Sequence, residues 1–385
     1  MTGKEIRLMK VVELNRYVCV GLEITRKCNM NCAYCYVVPR PHPEPDLTFD
    51  DWHKIVSLLR EEMKDRYLSF HLAGGEIFTK EGTAEFIMQL LQQGIEVSLV
   101  SNGLVVPELI FSEECFKEKG GLFNFQISID GLKKEHETIR SHYDRVMGNL
   151  IRLLESGVLT TVRTTVHRGN IKGMKSFYTF LNRLGEKYQK VIEVYVQPVA
   201  DFPRRPIKGL GKIRLGLEEY LEAGFEVDRY VETYLPYVYN SWRFVHDVGS
   251  TLDMDRTLSL NSVCFGCGGG YGFNINANGD VLNCEMDVPF LNLRDHIDRE
   301  TIHRVVEILD EKNRPRKRCL HCPLNTYCGM CRLSPMIHGY TEGFGYTDCK
   351  PFMSRVVSLH REYRKKKGET GKLRKEGVSH VRKAC

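Results

Sequence analysis

Thr25-Arg-Lys-Cys28-Asn-Met-Asn-Cys32-Ala-Tyr34-Cys35-Tyr36 follows directly on the apolar run Val18–Ile24, which reads as a strand. Three residues and then two separate the cysteines. Thiolates this close can hold three irons of a cubane cluster. A [4Fe–4S] cluster normally takes four cysteines, so one iron is left without a protein ligand. The triad thus suggests an iron kept open for a substrate or cosubstrate, as catalytic metal sites keep a position open. Structural zinc wants Cys-x2-Cys pairs with a partner pair a dozen or more residues away, and the next cysteine here is Cys115.

Outward from this stretch, short β-rich runs alternate with amphipathic segments. Strands are expected at Val18–Thr25, Tyr67–Leu72, Ile95–Val100, Phe123–Ile129, Val158–Val166 and Val191–Gln197. Helical patterns lie between them at Phe49–Lys64, Ala84–Gln93, Glu108–Lys119, Tyr143–Glu155 and Lys172–Glu186. Such alternation implies a parallel α/β architecture. In parallel barrels functional groups sit on loops after the strand C-termini, and Cys28 occupies that position on the first strand.

Residues 200–262 break the alternation with Pro203, Pro206, Gly209, Gly211 and Gly216, followed by an aromatic-rich, helical-looking stretch from Tyr220 to Phe244. The segment reads either as a substrate-facing bridge or as ordinary packing. Residues 263–350 carry eight cysteines: Cys264, Cys267, Cys284, Cys319, Cys322, Cys328, Cys331 and Cys349. Little apolar periodicity accompanies them, so metal is expected to supply folding free energy there. Eight thiols suffice for two [4Fe–4S] clusters or for two zinc sites of four cysteines each. Spacing alone leaves both open; the upstream triad favours iron–sulfur. Cys19, Cys115 and Cys385 stay unassigned.

Composition narrows the classes. The chain of 385 residues is 42% hydrophobic and 27% charged, ordinary for a soluble protein. No secretory signal or 18-residue apolar span is present, so a cytoplasmic location is expected. The net charge of +6 belongs to the C-terminus, because residues 361–385 hold ten Lys/Arg and three Glu. Nucleic acid is therefore not an expected partner.

Together these motifs resemble the radical S-adenosylmethionine (SAM) superfamily, with a C-terminal region similar to its SPASM or twitch domain. The resemblance implies a partial (β/α)6 TIM-like barrel followed by a cysteine-rich auxiliary-cluster domain. It divides the chain into an N-terminal segment (1–17), a radical SAM core (18–199), a bridging segment (200–262), a SPASM-like domain (263–350), and a C-terminal helix with basic tail (351–385). It implies that Cys28, Cys32 and Cys35 bind a [4Fe–4S] cluster whose open iron chelates SAM. Tyr34 matches an adenine contact. Gly74-Gly75-Glu76 matches the motif that receives the methionine amino group. Ser101-Asn102 and Ser128-Ile129-Asp130 resemble positions that bind ribose and carboxylate. Arg140 and Arg163 are candidates for a cation at the SAM carboxylate, or for ion pairs of their own.

By family topology, Cys264, Cys267, Cys284 and Cys331 hold one auxiliary cluster, and Cys319, Cys322, Cys328 and Cys349 the other. Glu285 and Asp287 are acid–base candidates. The implied reaction is reductive cleavage of SAM and hydrogen abstraction from a peptide or protein substrate, with a donor such as ferredoxin or flavodoxin. Only 27 residues precede Cys28, so leader recognition is expected from a separate protein or from residues 200–262. The alternatives are the same chemistry on a small molecule such as a tetrapyrrole, and a non-catalytic electron carrier.

Overall fold

The structure is a computed structural model and describes residues 17–37, 45–199, 209–242, 245, 271–283, 288–312 and 350–366. In chain order the strands are β1 (Tyr17–Thr25), β2 (Tyr67–Gly74), β3 (Glu96–Ser101), β4 (Phe123–Ser128), β5 (Thr160–Val166), β6 (Ile192–Pro198), β7 (Val238–Trp242), β8 (Tyr271–Ile275), β9 (Asp280–Leu282) and β10 (Leu291–Asn292). The longer helices are α1 (Phe49–Glu62), α2 (Thr83–Gln92), α3 (Tyr143–Ser156), α4 (Met174–Tyr188), α5 (Leu217–Tyr234), α6 (Arg299–Lys312) and α7 (Lys350–Lys366). Two compact units divide the chain. The first takes its described residues from 17–29, 37, 45–99, 271–283 and 288–312, and the second takes the rest.

In the first unit β1 lies between β2 and β8 and is parallel to both, with Val20 opposite Phe70 and Phe273. Val20, Leu22, Phe70, Leu72, Phe273 and Ile275 are buried, as expected of strands covered on a face by helices. Helix α1 begins in a capping box. Thr48 Oγ1 accepts from Asp51 N–H at 3.1 Å, and Thr48 N–H donates to Asp51 Oδ2 at 2.8 Å. The helix buries Trp52, Ile55, Val56 and Leu59, the i, i+3, i+4, i+7 stripe. Helix α6 meets it through His303 Nδ1 and Glu62 Oε1 at 2.5 Å.

The second unit is the parallel run β4–β5–β6–β7. Helices α3 and α4 bury Val146, Leu150, Leu153, Phe177 and Leu181. Tyr178 Oη donates to Asn240 Oδ1 of β7 at 2.5 Å. Helix α7 packs on α5, where Tyr363 stacks on Phe225 at 4.3 Å between centroids.

All six expected strands form, within two residues of their expected ends. Three expectations on local structure change. The helix read over Glu108–Lys119 is one turn, Glu108–Ser112, followed by 3-10 turns at Glu114–Phe116 and Glu118–Gly120. Glu113 turns extended there, which brings Phe116 into the core against Phe123 at 4.9 Å. The aromatic stretch from Tyr220 to Phe244 is helical only to Tyr234, and Val238–Trp242 is a strand parallel to β6. Pro236 disfavours the helical conformation just before it, and Val238, Asn240 and Trp242 then alternate inward. Finally, part of the cysteine-dense region has an apolar core after all. Phe273, Ile275, Val281, Leu282, Val305 and Leu309 are buried in the first unit.

The eight cysteines of 264–349, together with Glu285, Asp287 and Cys385, lie outside the described residues.

Candidate active site

In the first unit β1 leaves the sheet through Thr25-Arg26-Lys27 and reaches Cys28. The loop after β2 is laced to that exit. Gly75 N–H donates to Thr25 O and Glu76 N–H to Lys27 O, each at 2.8 Å. Two glycines are needed for so close an approach. A Cβ on Gly74, whose φ is +139°, would stand 2.3 Å from Thr25 O, and one on Gly75 would stand 2.2 Å from Lys27 O. Glu76 is fully buried, and its carboxylate accepts from Phe78 N–H at 3.4 Å. The glycines thus hold the backbone that presents Cys28.

In the second unit Cys32, Tyr34 and Cys35 share a short segment. Cys35 N–H donates to Cys32 O at 3.0 Å, and Ala33 N–H to Ile139 O at 3.2 Å. Tyr34 Oη donates to Asp130 Oδ2. Arg140 Nε donates to Asp130 Oδ2 at 2.7 Å and to Tyr34 Oη at 2.9 Å, while Nη1 reaches Cys32 Sγ at 3.6 Å. Its guanidinium carbon lies 5.4 Å from the Tyr34 ring centroid. One cation therefore ties a cysteine, the tyrosine and the aspartate together.

Asp130 itself is fixed from β5. Thr165 N–H donates to its Oδ1 at 2.8 Å, and Asn170 Nδ2 to its carbonyl at 2.9 Å. Burial pushes the Asp130 carboxyl up, but the Arg140 charge and the hydrogen bonds from Tyr34 and Thr165 outweigh it and hold the pKa below the usual value. Burial pushes the Tyr34 phenol well above its ordinary range. For Arg140 burial favours the neutral form, yet Asp130 keeps it firmly protonated.

His167, just past β5, was not among the residues the sequence singled out. Its ring is buried and lies 6.3 Å from that of Tyr34. Nδ1 accepts from Gly169 N–H at 3.1 Å, which leaves the proton on Nε2, and Nε2 is buried without a partner. Burial holds the imidazole below its usual pKa. The only sequence signal was its place after a strand, since a single histidine in Val166-His-Arg-Gly-Asn170 forms no pattern.

Ser101 and Asn102 close a turn. Ser101 Oγ accepts from Gly103 N–H at 3.0 Å, and Asn102 Oδ1 from Leu104 N–H at 2.9 Å. Ser128 ends β4, buried and in register with Arg163. Arg163 sits apart from Arg140 in its bonding, held by Gln126 and Gln197. Among the described residues no three His, Cys, Asp or Glu side chains converge as a single metal ion requires; a cubane instead takes one thiolate per iron.

Residues 22–181 match the family model of the radical SAM superfamily, so the chain carries a radical SAM domain. It is 24% identical over 333 residues to the AdoMet-dependent heme synthase of Oleidesulfovibrio alaskensis, covering 81% of this chain and 82% of that protein. It is 22% identical over 325 residues to the antilisterial bacteriocin subtilosin biosynthesis protein AlbA of Bacillus subtilis, covering 81% of this chain and 66% of AlbA. Among solved structures, anSMEcpe with bound AdoMet and the Cp18Cys peptide superposes with a TM-score of 0.64 at 18% identity, covering 91% of this chain and 97% of that one. That likeness shows the fold, an α/β radical SAM partial barrel.

Proposed function

We propose that the chain is a maturase that uses SAM and a [4Fe–4S] cluster to take hydrogen from a peptide or protein substrate. The family implies both cofactors, and the residues present suit them. Cys28, Cys32 and Cys35 supply the thiolates, and the buried Nε2–H of His167 is a donor beside Tyr34 that a ligand would satisfy. Held by these cysteines, a reduced cluster would supply the electron for reductive cleavage of SAM. The chain's own work is positioning. Gly74 and Gly75 hold the Cys28 loop, and Glu76 offers an acceptor for the methionine ammonium. Arg140 fixes Tyr34 and Asp130 and lies against Cys32. Ser101, Asn102 and Ser128 would offer hydrogen bonds to the ribose and carboxylate of SAM.

The Cys32–Arg140–Asp130–Tyr34 network carries this reading, because it ties a cluster ligand to the residues expected to hold SAM. The peptide substrate is supported by the relation to AlbA, a bacteriocin biosynthesis protein. Residues 263–350 would hold two auxiliary [4Fe–4S] clusters on the eight cysteines, with Glu285 or Asp287 as base. A cytoplasmic ferredoxin or flavodoxin would deliver the electron. A second reading, a tetrapyrrole substrate, is supported by the relation to the heme synthase over 82% of its length.

Anaerobic reconstitution tests the proposal. It expects about twelve irons per chain and 5′-deoxyadenosine on reduction with SAM. Cys28→Ala, Cys32→Ala, Cys35→Ala together should leave about eight irons and no SAM cleavage. Absence of cleavage by the wild type would sink the radical reading. A mass change confined to a metabolite would select the tetrapyrrole.

A further inference from the structure

The sheet of the second unit has two unlike faces, since alternate residues of a strand share a face. One carries Phe125, Ile127, Val162, Val194 and Val196, all buried. The other carries Gln126 and Ser128 of β4, Arg163 of β5, and Glu193, Tyr195 and Gln197 of β6. Arg163 lies across this polar face, gripped from both neighbouring strands. Its Nη1 donates to Gln126 Oε1 at 2.9 Å and its Nη2 to Gln197 Oε1 at 3.0 Å. Its guanidinium carbon is 5.1 Å from the Tyr195 ring centroid.

All three holders are neutral. Among the described residues Arg163 has no ion-pair partner, and Glu193 on the same face instead accepts from Thr161 Oγ1 at 3.1 Å. A guanidinium stays charged at any working pH, so a half-buried one without a counter-charge is held at a cost that amide oxygens and a ring face only partly offset. The two glutamines fix its plane while leaving Nε–H and one N–H on each Nη for another acceptor. Such a fork fits a carboxylate.

We propose that Arg163 is the receptor for a carboxylate of the substrate, an inference that rests on the radical reading above. Position separates it from the SAM cation. Arg140 is bonded to Asp130 and Cys32, whereas Arg163 is bonded to Gln126 and Gln197. It lies two residues, about 7 Å, behind Thr165, the residue that holds Asp130. An acidic side chain of a peptide is the expected occupant, and a propionate of a tetrapyrrole presents the same chemistry.

Equilibrium binding to the reconstituted holoenzyme with SAM tests this, using two pairs of probes. One pair is the peptide amide acetyl-Ala-Glu-Ala and its Gln twin; the other is protoporphyrin IX and its dimethyl ester. In the wild type the acid should bind at least ~10-fold tighter than its neutral twin, the scale of one charged hydrogen-bonded contact. The preference should vanish in Arg163→Gln. It should vanish also in Gln197→Glu, which sets a carboxylate against the guanidinium from within and serves as a fold-preserving control. The SAM Kd should stay unchanged in both. The pair that discriminates identifies the source of the carboxylate. Equal or undetectable binding of acid and twin in both pairs overturns the proposal, as does a preference that survives both substitutions. A loss of SAM affinity in Arg163→Gln also overturns it, and assigns the cation to the cosubstrate. Uncoupled 5′-deoxyadenosine formation is read separately, so a failure here is distinguishable from a failure of the radical reading.

Discussion

Asp130 is fully buried and shares its carboxylate among Tyr34, Arg140 and the Thr165 amide. Removing the cation from such a pair leaves a charge stranded in the interior. Arg140→Ala should destabilise the cluster-free protein by about 3–5 kcal/mol in denaturant unfolding. Arg140→Ala combined with Asp130→Asn should lose less. The glycines act by a different route. Gly75→Ala puts a methyl group 2.2 Å from Lys27 O, so the Cys28 loop must move. Near-wild-type circular dichroism with a lowered iron content after reconstitution is the expected result; full iron loading would show that the loop tolerates the shift. Tyr34 and Asp130 were legible because they stand in motifs with fixed offsets from the cysteines and strands, whereas Arg140 was one of two candidate cations with no motif to choose between them. Thr165, His167 and Asn170 were not, because a residue that holds another through its backbone or a single ring nitrogen leaves no spacing to read.

At the scale of elements, strands were legible wherever an apolar run met a turn residue. What misled was composition without punctuation. Tyr220–Phe244 looks uniformly aromatic, and Pro236 alone marks where helix α5 gives way to β7. Contacts between elements were invisible in sequence, and the α1–α6 pair is one. The Glu62 carboxylate holds the His303 pKa above its ordinary value. A raised histidine contributes stability that is fully present below its unfolded pKa of about 6.5 and fades as pH rises through the folded value. The difference in melting temperature between wild type and His303→Ala should therefore be largest at acidic pH and shrink toward pH 8. A difference independent of pH would mean that the ring acts through packing alone.

At the scale of the whole molecule, the radical SAM domain could be read from the triad and the motifs after β2, β3 and β4, while the partner of β8 could not. Strand β8 comes from the cysteine-dense region, yet it pairs along β1 from Val18 to Leu22. Nothing local in Tyr271–Ile275 announces so distant a partner. A chain ending at residue 262 would leave that edge of β1 unpaired, and is expected to accumulate as insoluble protein. Recovery of a soluble, folded fragment would show that β8 is dispensable.

The same pairing imposes an order on synthesis. Val20 is made early, and its neighbour Phe273 more than two hundred residues later. At roughly 5–20 residues per second the ribosome needs some ten seconds or more to supply it. Throughout that interval the strand leading to Cys28 has an open edge, while all three cysteines of the triad have already been translated. Iron delivered during that interval would meet a strand whose second edge is still open.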